Sequence, residues 1–229
     1  MEENTFDIIY RFHFGKQDKR ELKISIDPAT IVMVPLRLNN HFAWTKLEYK
    51  QCTCCQLTKE KHPYCPIAIN IAGLVETFKD KISYEKCIVH CITPERTYHK
   101  KTSLMEGLSS LLGLIMATSN CPHMSIFKPM ARFHLPFSTI EETIVRSTSM
   151  YLLRQYFVYK NKENPDLDLI KLNEKYETVK ILNAGLLERL KGLHLKDSDR
   201  NAILMFHSIS ELLSTEIDTN LSSIKYLFT

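Results

Sequence analysis

The spacing of the hydrophobic residues changes near residue 102, and this change constrains the fold more than any other feature of the chain. Residues 8–14 alternate apolar and polar side chains, a polar turn follows, and the alternation resumes at 22–26, as in a β-hairpin with one buried face. After residue 102 apolar side chains recur at every third or fourth position, which is typical of amphipathic helices. We therefore predict an α+β fold, in which an antiparallel β-rich N-terminal half (1–101) packs against a helical C-terminal half (102–229) within a single domain.

The same patterns predict the elements that complete the N-terminal half and begin the C-terminal half. In the N-terminal half we expect a strand over 42–49, a short helix over 66–78, and strands over 87–92 and around Tyr98. The C-terminal half should begin with a buried central helix over 102–118, because this segment is apolar nearly all round. Ser103 and Glu106 form a capping box at its start.

Three further helices are expected in the rest of the chain. A second capping box, Ser138 with Glu141, should start a helix that runs to about residue 159. Apolar residues at three- and four-residue steps predict a long amphipathic helix over 169–190. Asp197 or Asp199 should cap the last helix, whose inward-facing residues we expect to be Ile203, Phe206, Ile209 and Leu213.

Composition and charge limit the kinds of molecule that the protein is expected to bind. The chain has 229 residues, 44% of them hydrophobic, and a net charge of +4. Most of this excess lies in residues 51–135, which carry ten basic and six acidic side chains. It is too small to predict nucleic-acid binding, but it would suit a small anionic ligand or offset metal-bound thiolates. The acidic N-terminus and an apolar run of only 111–117 predict a cytoplasmic protein without a membrane segment.

The seven cysteines point to thiol or metal chemistry instead of a disulfide framework, because their number is odd and no secretory signal is visible. Cys52 and Cys55 have the two-residue spacer with which two thiolates chelate one ion from a tight turn. Cys65 stands at a predicted helix start and Cys121 follows the central helix, and each precedes a proline that fixes the local turn.

These four cysteines predict a tetrahedral metal site that would clamp the two halves of the chain together. Zinc is the simplest occupant, and an iron–sulfur cluster is the alternative, since four thiolates serve both. His62 or His123 could replace one of the cysteines as a ligand. The competing interpretations are that the cysteines are small buried hydrophobic residues or that two of them form a metal-free redox pair.

The remaining cysteines have simpler interpretations. Cys54 is surplus to a set of four ligands, so it is either a reactive thiol, and thus a weak catalytic candidate, or an ordinary partly buried residue. Cys87 and Cys91 are four residues apart on a predicted strand. We expect them to lie on one face and to pack in the core.

A second candidate site lies in residues 128–136, which two prolines bracket and which we predict to be extended. Alternation would place Arg132 and His134 on one face, where they could bind an anion with His134 as acid or base. Glu141 and Glu142 would lie within reach of this pair. The alternative is a structural salt bridge from Arg132 to one of them, with His134 hydrogen-bonded in the core.

Three segments carry a resemblance to a known family: residues 52–66, Met-Ala-Thr-Ser-Asn-Cys-Pro at 116–122, and Pro-Met-Ala-Arg-Phe-His-Leu-Pro-Phe at 129–137. In these the chain resembles an uncharacterised family of bacterial proteins of unknown function. The first motif of that family reads Cys-Pro-x-Cys-Pro-Leu, whereas this chain has Thr53 and Gln56 at the proline positions. The resemblance implies a bacterial source and no particular activity.

Two functions are therefore open at this point. The first is a metal-stabilised binding or regulatory module with a four-cysteine zinc site. The second is a redox or metal-dependent enzyme that uses an iron–sulfur cluster or an open metal position near Arg132 and His134. The chain contains no phosphate-binding glycine loop, no HExxH motif and no GxSxG motif, so a common nucleotide enzyme or hydrolase has no support.

Overall fold

A five-stranded antiparallel sheet forms the N-terminal half of the computed structural model. The structure describes residues 5–35, 42–191, 193 and 198–229, except for the side chains of 198–200, 202 and 204–207. The strands lie in the order β3-β2-β1-β4-β5. In chain order they are β1 Phe6–Phe14, β2 Asp18–Asp27, β3 Val32–Met33, β4 Lys86–Ile92 and β5 Thr97–Ser103. The predicted hairpin and the two later strands are confirmed.

The sheet has one buried face, as the alternating pattern requires. The side chains of Tyr10 and Phe12 on β1 are fully buried. Tyr10 is paired across the sheet with Leu22 on β2 and with Cys91 on β4. Cys87 and Cys91 are 4% and 0% exposed, so the prediction that both pack in the core is confirmed.

Helices make up most of the remaining chain, and the α+β fold is confirmed. They are α1 Pro66–Phe78, α2 Leu104–Thr118, α3 Lys128–Arg132, α4 Ile140–Lys160, α5 Ile170–Leu190 and α6 Ser198–Asp218. Short 3₁₀ helices occupy Ala43–Thr45, Pro122–Phe127 and Lys225–Leu227. Within the described ranges, no helix combines the length and the apolar character that crossing a bilayer requires.

Helix α2 is the central element, as its apolar sequence predicts. It contacts the sheet as well as α1, α3 and α6. A side chain could not be added at Gly107, because a Cβ atom there would lie 2.6 Å from the ring of Phe12 and 2.9 Å from Val89. The missing side chain thus brings the helix close to the sheet. Ser103 caps the helix by accepting the backbone N–H of Glu106.

The predicted strand over 42–49 is wrong. This segment forms a short 3₁₀ helix and turns, and its one ladder contact is an isolated bridge between Lys46 and Tyr64. A side chain from far along the chain explains why no strand forms here. The guanidinium of Arg189 is buried and donates to the carbonyls of Trp44, Lys46 and Leu47. Carbonyls bound in this way cannot take part in a strand ladder.

The predicted extended segment over 128–136 is also wrong, because its first five residues form α3. Pro129 lies in the first turn, where its missing N–H removes no helical hydrogen bond and its fixed φ suits the helix. The capping box of α4 lies one residue later than predicted. Thr139 accepts the Glu142 N–H, and the Glu142 carboxylate accepts the Thr139 N–H at 2.7 Å.

The other C-terminal predictions agree with the structure where it describes them. Helix α5 begins at Ile170 and ends at Leu190, close to the expected 169–190. On α6, Ile203 and Leu213 are buried and Ile209 packs against the core. The proposed cap Asp197 lies outside the described residues, as do the side chains of Asp199 and Phe206.

Candidate functional site

The four cysteines predicted as metal ligands line one small cavity. Cys52, Cys55 and Cys65 reach it from the segment before α1, and Cys121 reaches it from the end of α2. Leu182 and Leu186 of α5 form another part of the wall. The cavity measures about 20 Å³, which is close to the 10–15 Å³ that one water-sized particle needs.

Local backbone geometry presents these cysteines from turns and helix starts. The N–H of Cys55 donates to the carbonyl of Cys52 at 2.9 Å and closes the two-residue spacer into a turn. Cys65 and Cys121 share one conformation, with φ and ψ of −67° and 122° in the first and −70° and 125° in the second. Each directly precedes a proline in the first turn of a helix. The cysteine–proline pairs in the sequence therefore correspond to two equivalent helix starts.

Helix α5 is shaped to receive Cys52. A Cβ atom at Gly185 would lie 2.6 Å from Sγ of Cys52, closer than real contacts allow. A glycine inside a helix costs about 1 kcal/mol relative to alanine. Gly185 thus gives up helix stability at the position where the thiol lies against the helix.

Burial keeps the thiols of Cys52 and Cys121 protonated in the absence of a cation. Burial and, to a smaller extent, the nearby Cys65 together raise the pKa of Cys52 to about 12, whereas Arg189 opposes the shift. Burial likewise raises the pKa of Cys121 to about 11, with additional contributions from Cys65 and Cys55. A bound metal ion inverts this preference, because it stabilises the thiolate directly.

Arg189 is a functional candidate that the sequence did not reveal. It is 1% exposed, and its guanidinium donates to the carbonyls of Trp44, Lys46 and Leu47 at 2.7–2.9 Å. No carboxylate in the described part of the chain forms an ion pair with it. Its positive charge therefore acts on Cys52 without a compensating acid. The sequence feature that could have indicated a buried arginine is the position of Arg189 beside the apolar stripe of α5.

Cys54 and His62, the other candidates near this cluster, lie outside the cavity wall, whereas His123 forms part of it. Nε2 of His123 lies 2.9 Å from the carbonyl oxygen of Cys54, so the ring nitrogen donates to it. This bond ties the loop after Cys52 to the turn after Cys121. Burial raises the pKa of Cys54.

The thiols share a cavity without forming a closed coordination sphere. Across the residues that the structure describes, no group of three or more histidine, cysteine, aspartate or glutamate side chains is arranged to hold a metal ion directly. A metal would have to draw the turns around Cys52, Cys65 and Cys121 together. The donor set itself, four thiols with one nearby imidazole, is the set that structural zinc sites use.

The second candidate pair, Arg132 and His134, is not brought together. Arg132 ends α3 with its side chain exposed and its guanidinium 4.8 Å from the centre of the Phe6 ring. His134 instead lines a separate cavity of about 210 Å³, together with Arg146 of α4. Arg132 is the last residue of α3 and His134 follows its C-cap Phe133, so the two residues do not share the extended backbone that would place them on one face.

His134 belongs to a neutral hydrogen-bond network. The hydroxyl of Tyr10 lies 2.6 Å from Nε2 of His134 and 2.8 Å from Oγ of Ser110. Burial and, to a smaller extent, the charge of Arg146 together lower the pKa of His134 to about 3. The imidazole is therefore neutral at physiological pH, and of the two interpretations the structure favours a histidine hydrogen-bonded in the core.

Glu141 and Glu142 have other partners than Arg132. The Tyr226 hydroxyl donates to the carboxylate of Glu141 at 2.6 Å, and Glu142 serves in the capping box of α4. No salt bridge joins either glutamate to Arg132 among the described residues. The predicted salt bridge of Arg132 is therefore wrong as well.

Comparison with known proteins places the chain in a family. A family described as a domain of unknown function, DUF6901, matches residues 8–229. The chain belongs to the DUF6901 family. The match agrees with the expected resemblance to proteins of unknown function, and the family description names no activity. No curated protein and no solved structure was found to match this DUF6901 chain.

The two cavities of this DUF6901 protein differ in what they can bind. The cysteine cavity has room for an ion and offers soft sulfur donors. The larger cavity is mainly apolar and contains one guanidinium and one neutral imidazole. Structural metal binding and small-molecule binding are therefore separate possibilities in separate parts of the fold.

Proposed function

We propose that this DUF6901 protein is a cytoplasmic binding or regulatory module stabilised by one zinc ion, with Cys52, Cys55, Cys65 and Cys121 as the ligands. The observation that carries the proposal is that these four thiols, from three separate segments, line a single ion-sized cavity. An ion bound there would join the loop before α1, the end of α2 and the adjoining face of α5. Its chemistry would be structural, since four protein ligands leave no open position for substrate.

The charge around the cavity supports the same proposal. Four thiolates and one zinc ion carry a net charge of about −2, which is costly to bury without compensation. The buried guanidinium of Arg189, which pairs with no described carboxylate, supplies positive charge next to Cys52. The odd number of cysteines is the reason for proposing a reducing, cytoplasmic location, and the three motifs are the reason for proposing a bacterial source.

The alternative function is a redox enzyme whose four thiolates hold an iron–sulfur cluster. Sulfur ligands alone do not distinguish the two. The size of the cavity favours zinc, because about 20 Å³ suits a single ion better than a cluster of several atoms. An open metal position near Arg132 and His134 has no supporting contact, since Arg132 is exposed and Nε2 of His134 is bonded to Tyr10.

Elemental analysis of anaerobically purified protein tests the proposal. We expect about one zinc per chain, no visible absorption, and loss of most of the zinc in both Cys55→Ser and Cys121→Ser. Cys54→Ser is the matched control, since Cys54 is adjacent to Cys55 but outside the cavity wall, and it should retain the wild-type zinc content.

Two results would overturn the assignment. A brown, iron-containing preparation would show that the cysteines hold an iron–sulfur cluster instead of zinc. A Cys121→Ser variant that keeps the full zinc content would remove Cys121 from the ligand set and leave a site confined to the loop before α1.

A further inference from the structure

The larger cavity has the dimensions of a small-molecule site. It measures about 210 Å³, room for on the order of fifteen water-sized groups. Its wall is formed by α2, α4, α5, α6 and the segment between α2 and α4. About half of the lining residues are apolar, including Leu114, Met124, Phe127, Leu135 and Val179, and most of the exposed surface of the wall belongs to apolar atoms. A wide apolar cavity with a few polar groups is the usual form of a ligand pocket.

Arg146 supplies an incompletely bonded cation in this wall. Its Nη2 donates to the carbonyls of Phe133 at 2.8 Å and Met130 at 3.1 Å. Its Nε and Nη1 have no hydrogen-bond partner in the described part of the chain. Two carbonyls thus hold the guanidinium in place while the rest of its donors stay available to a ligand.

The other charged groups of the wall do not neutralise Arg146. Lys100 and Glu106 form a partly exposed ion pair with each other at 3.8 Å. Glu142, one turn earlier on α4, attracts Arg146 electrostatically and offsets part of its charge, but Glu142 lies outside the cavity wall. With the Lys100–Glu106 pair balanced and His134 neutral, the cavity wall carries one surplus positive charge.

A hydrogen-bond chain adds a neutral donor beside the cation. The Phe137 N–H donates to Oγ of Ser110, whose hydroxyl lies 2.8 Å from that of Tyr10. If each hydroxyl passes its proton forward, Tyr10 donates to Nε2 of His134 and every group is satisfied once. The proton of the neutral imidazole then resides on Nδ1, which has no partner among the described residues.

From this geometry we propose that the cavity binds a small organic carboxylate with an apolar body, with the carboxylate at Arg146 and His134. The free guanidinium donors match a carboxylate in geometry and charge. The remaining volume would accept a chain or ring of about six to ten carbons. This inference extends the binding-module part of the proposed function by naming the class of ligand, and it does not depend on the zinc site.

Calorimetric titration of the purified full-length protein with sodium octanoate tests the proposal. Octanoate should bind saturably with a dissociation constant of about 1 mM or lower. Acetate, which lacks the apolar body, and 1-octanol, which lacks the charge, should each bind at least about tenfold more weakly. If 1-octanol binds as tightly as octanoate, or if octanoate shows no saturable binding at about 5 mM, the proposal is wrong.

Substitutions locate the site. Arg146→Gln should weaken octanoate binding about 10- to 100-fold, since it removes a charged hydrogen-bonding partner. Arg154→Gln is the matched control: it makes the same change on an exposed position of the same helix and should bind octanoate like the wild type. Equal binding by both variants would place octanoate elsewhere.

A second variant and one further measurement keep the result interpretable. Because Arg146 also holds two carbonyls, Arg146→Gln should lower stability as well, so Arg146→Lys is measured in parallel and should bind octanoate more tightly than Arg146→Gln. Zinc content is recorded for every variant. Failure of octanoate binding with zinc retained counts against this inference alone, whereas loss of zinc in the wild type counts against the metal site alone.

Discussion

Two arginines carry positive charge into the interior of this protein, and both bind backbone carbonyls instead of carboxylates. Arg189 holds three carbonyls beside the cysteine cavity, and Arg146 holds two beside the larger cavity. A carbonyl satisfies a donor but does not cancel its charge. Arg189 therefore supplies positive charge near Cys52, which suits thiolates, and Arg146 supplies it in the wall of the larger cavity, which suits a carboxylate.

At the same scale, His134 should make the stability of the fold sensitive to acid. Its folded-state pKa of about 3 lies below the value of about 6.5 expected in the unfolded chain. Below pH 6.5 the unfolded chain therefore binds a proton that the folded protein excludes, and stability falls as the pH falls until about pH 3. We expect a loss of about 2 kcal/mol between pH 7 and pH 5 from this residue.

Urea denaturation at both pH values measures this effect. In His134→Gln the loss of stability between pH 7 and pH 5 should be smaller than in the wild type by that amount. His99→Gln, on the exposed edge strand β5, is the control and should keep the wild-type difference. Identical pH dependence in wild type and His134→Gln would show that the imidazole is not held neutral in the fold.

Residue spacing predicted the cysteine cluster but neither arginine. Cys52 and Cys55 share a turn, and the prolines after Cys65 and Cys121 marked helix starts, so local geometry was visible in the sequence. Arg189 binds carbonyls 142–145 residues earlier in the chain, and Arg146 binds carbonyls 13 and 16 residues earlier. Backbone acceptors are present at every position, so a sequence pattern does not show which of them a buried cation will use.

At the scale of elements, α2 joins the two halves of the fold. It lies against the sheet, lines the larger cavity and ends at the turn that carries Cys121. Leu111, in its middle, is 0% exposed. The position of this helix makes it the element whose loss should disrupt both cavities.

Leu111→Asp should therefore prevent folding. An unpaired buried carboxylate costs several kcal/mol, which is comparable to the roughly 5–15 kcal/mol that stabilises a typical domain. Leu153→Asp is the matched control, because Leu153 on α4 is 57% exposed and its replacement should leave the protein folded. Circular dichroism and gel filtration distinguish the outcomes. A folded Leu111→Asp variant of near wild-type stability would mean that α2 is not essential to the core.

Elements with a strong local pattern were predicted well, and the two failures have tertiary or positional causes. Helix α1 was expected at 66–78 and occupies Pro66–Phe78, because proline at its start and apolar spacing both act locally. Residues 42–49 lack strand structure because Arg189 captures their carbonyls. Residues 128–132 form a helix with Pro129 in its first turn. Proline is compatible with a first helical turn and with an extended chain, so its presence did not distinguish the two.

At the scale of the whole molecule, the cysteine cavity touches segments from both halves. Its wall includes Cys52 before α1, Cys121 after α2 and Leu186 on α5. A metal ion bound there would stabilise only the arrangement in which all three segments are docked. Its removal should consequently act on global unfolding and not on one loop.

Chelation tests this coupling. Removing zinc with a strong chelator should lower the unfolding free energy by about 3–4 kcal/mol if free zinc had exceeded its dissociation constant 100- to 1,000-fold. Hydrogen exchange should then accelerate in α2 and α5 as well as in residues 52–65. Acceleration confined to 52–65 would contradict the coupling. Cys121→Ser, chelated or not, should show the exchange pattern of the chelated wild type.

The hydrogen bonds of Arg189 form late during synthesis, because the ribosome makes their acceptors long before it makes Arg189. The carbonyls that it binds lie 142–145 residues earlier in the chain. At about 5–20 residues per second, translation needs roughly 7–30 s to pass from one partner to the other. During that interval the nascent segment with Cys52, Cys54, Cys55 and Cys65 lacks Arg189, whose hydrogen bonds later hold the preceding residues 44–47 in place. During those seconds its thiols are open to cellular metals, oxidants and chaperones, so the proposed zinc ion would meet these cysteines before α5 is made.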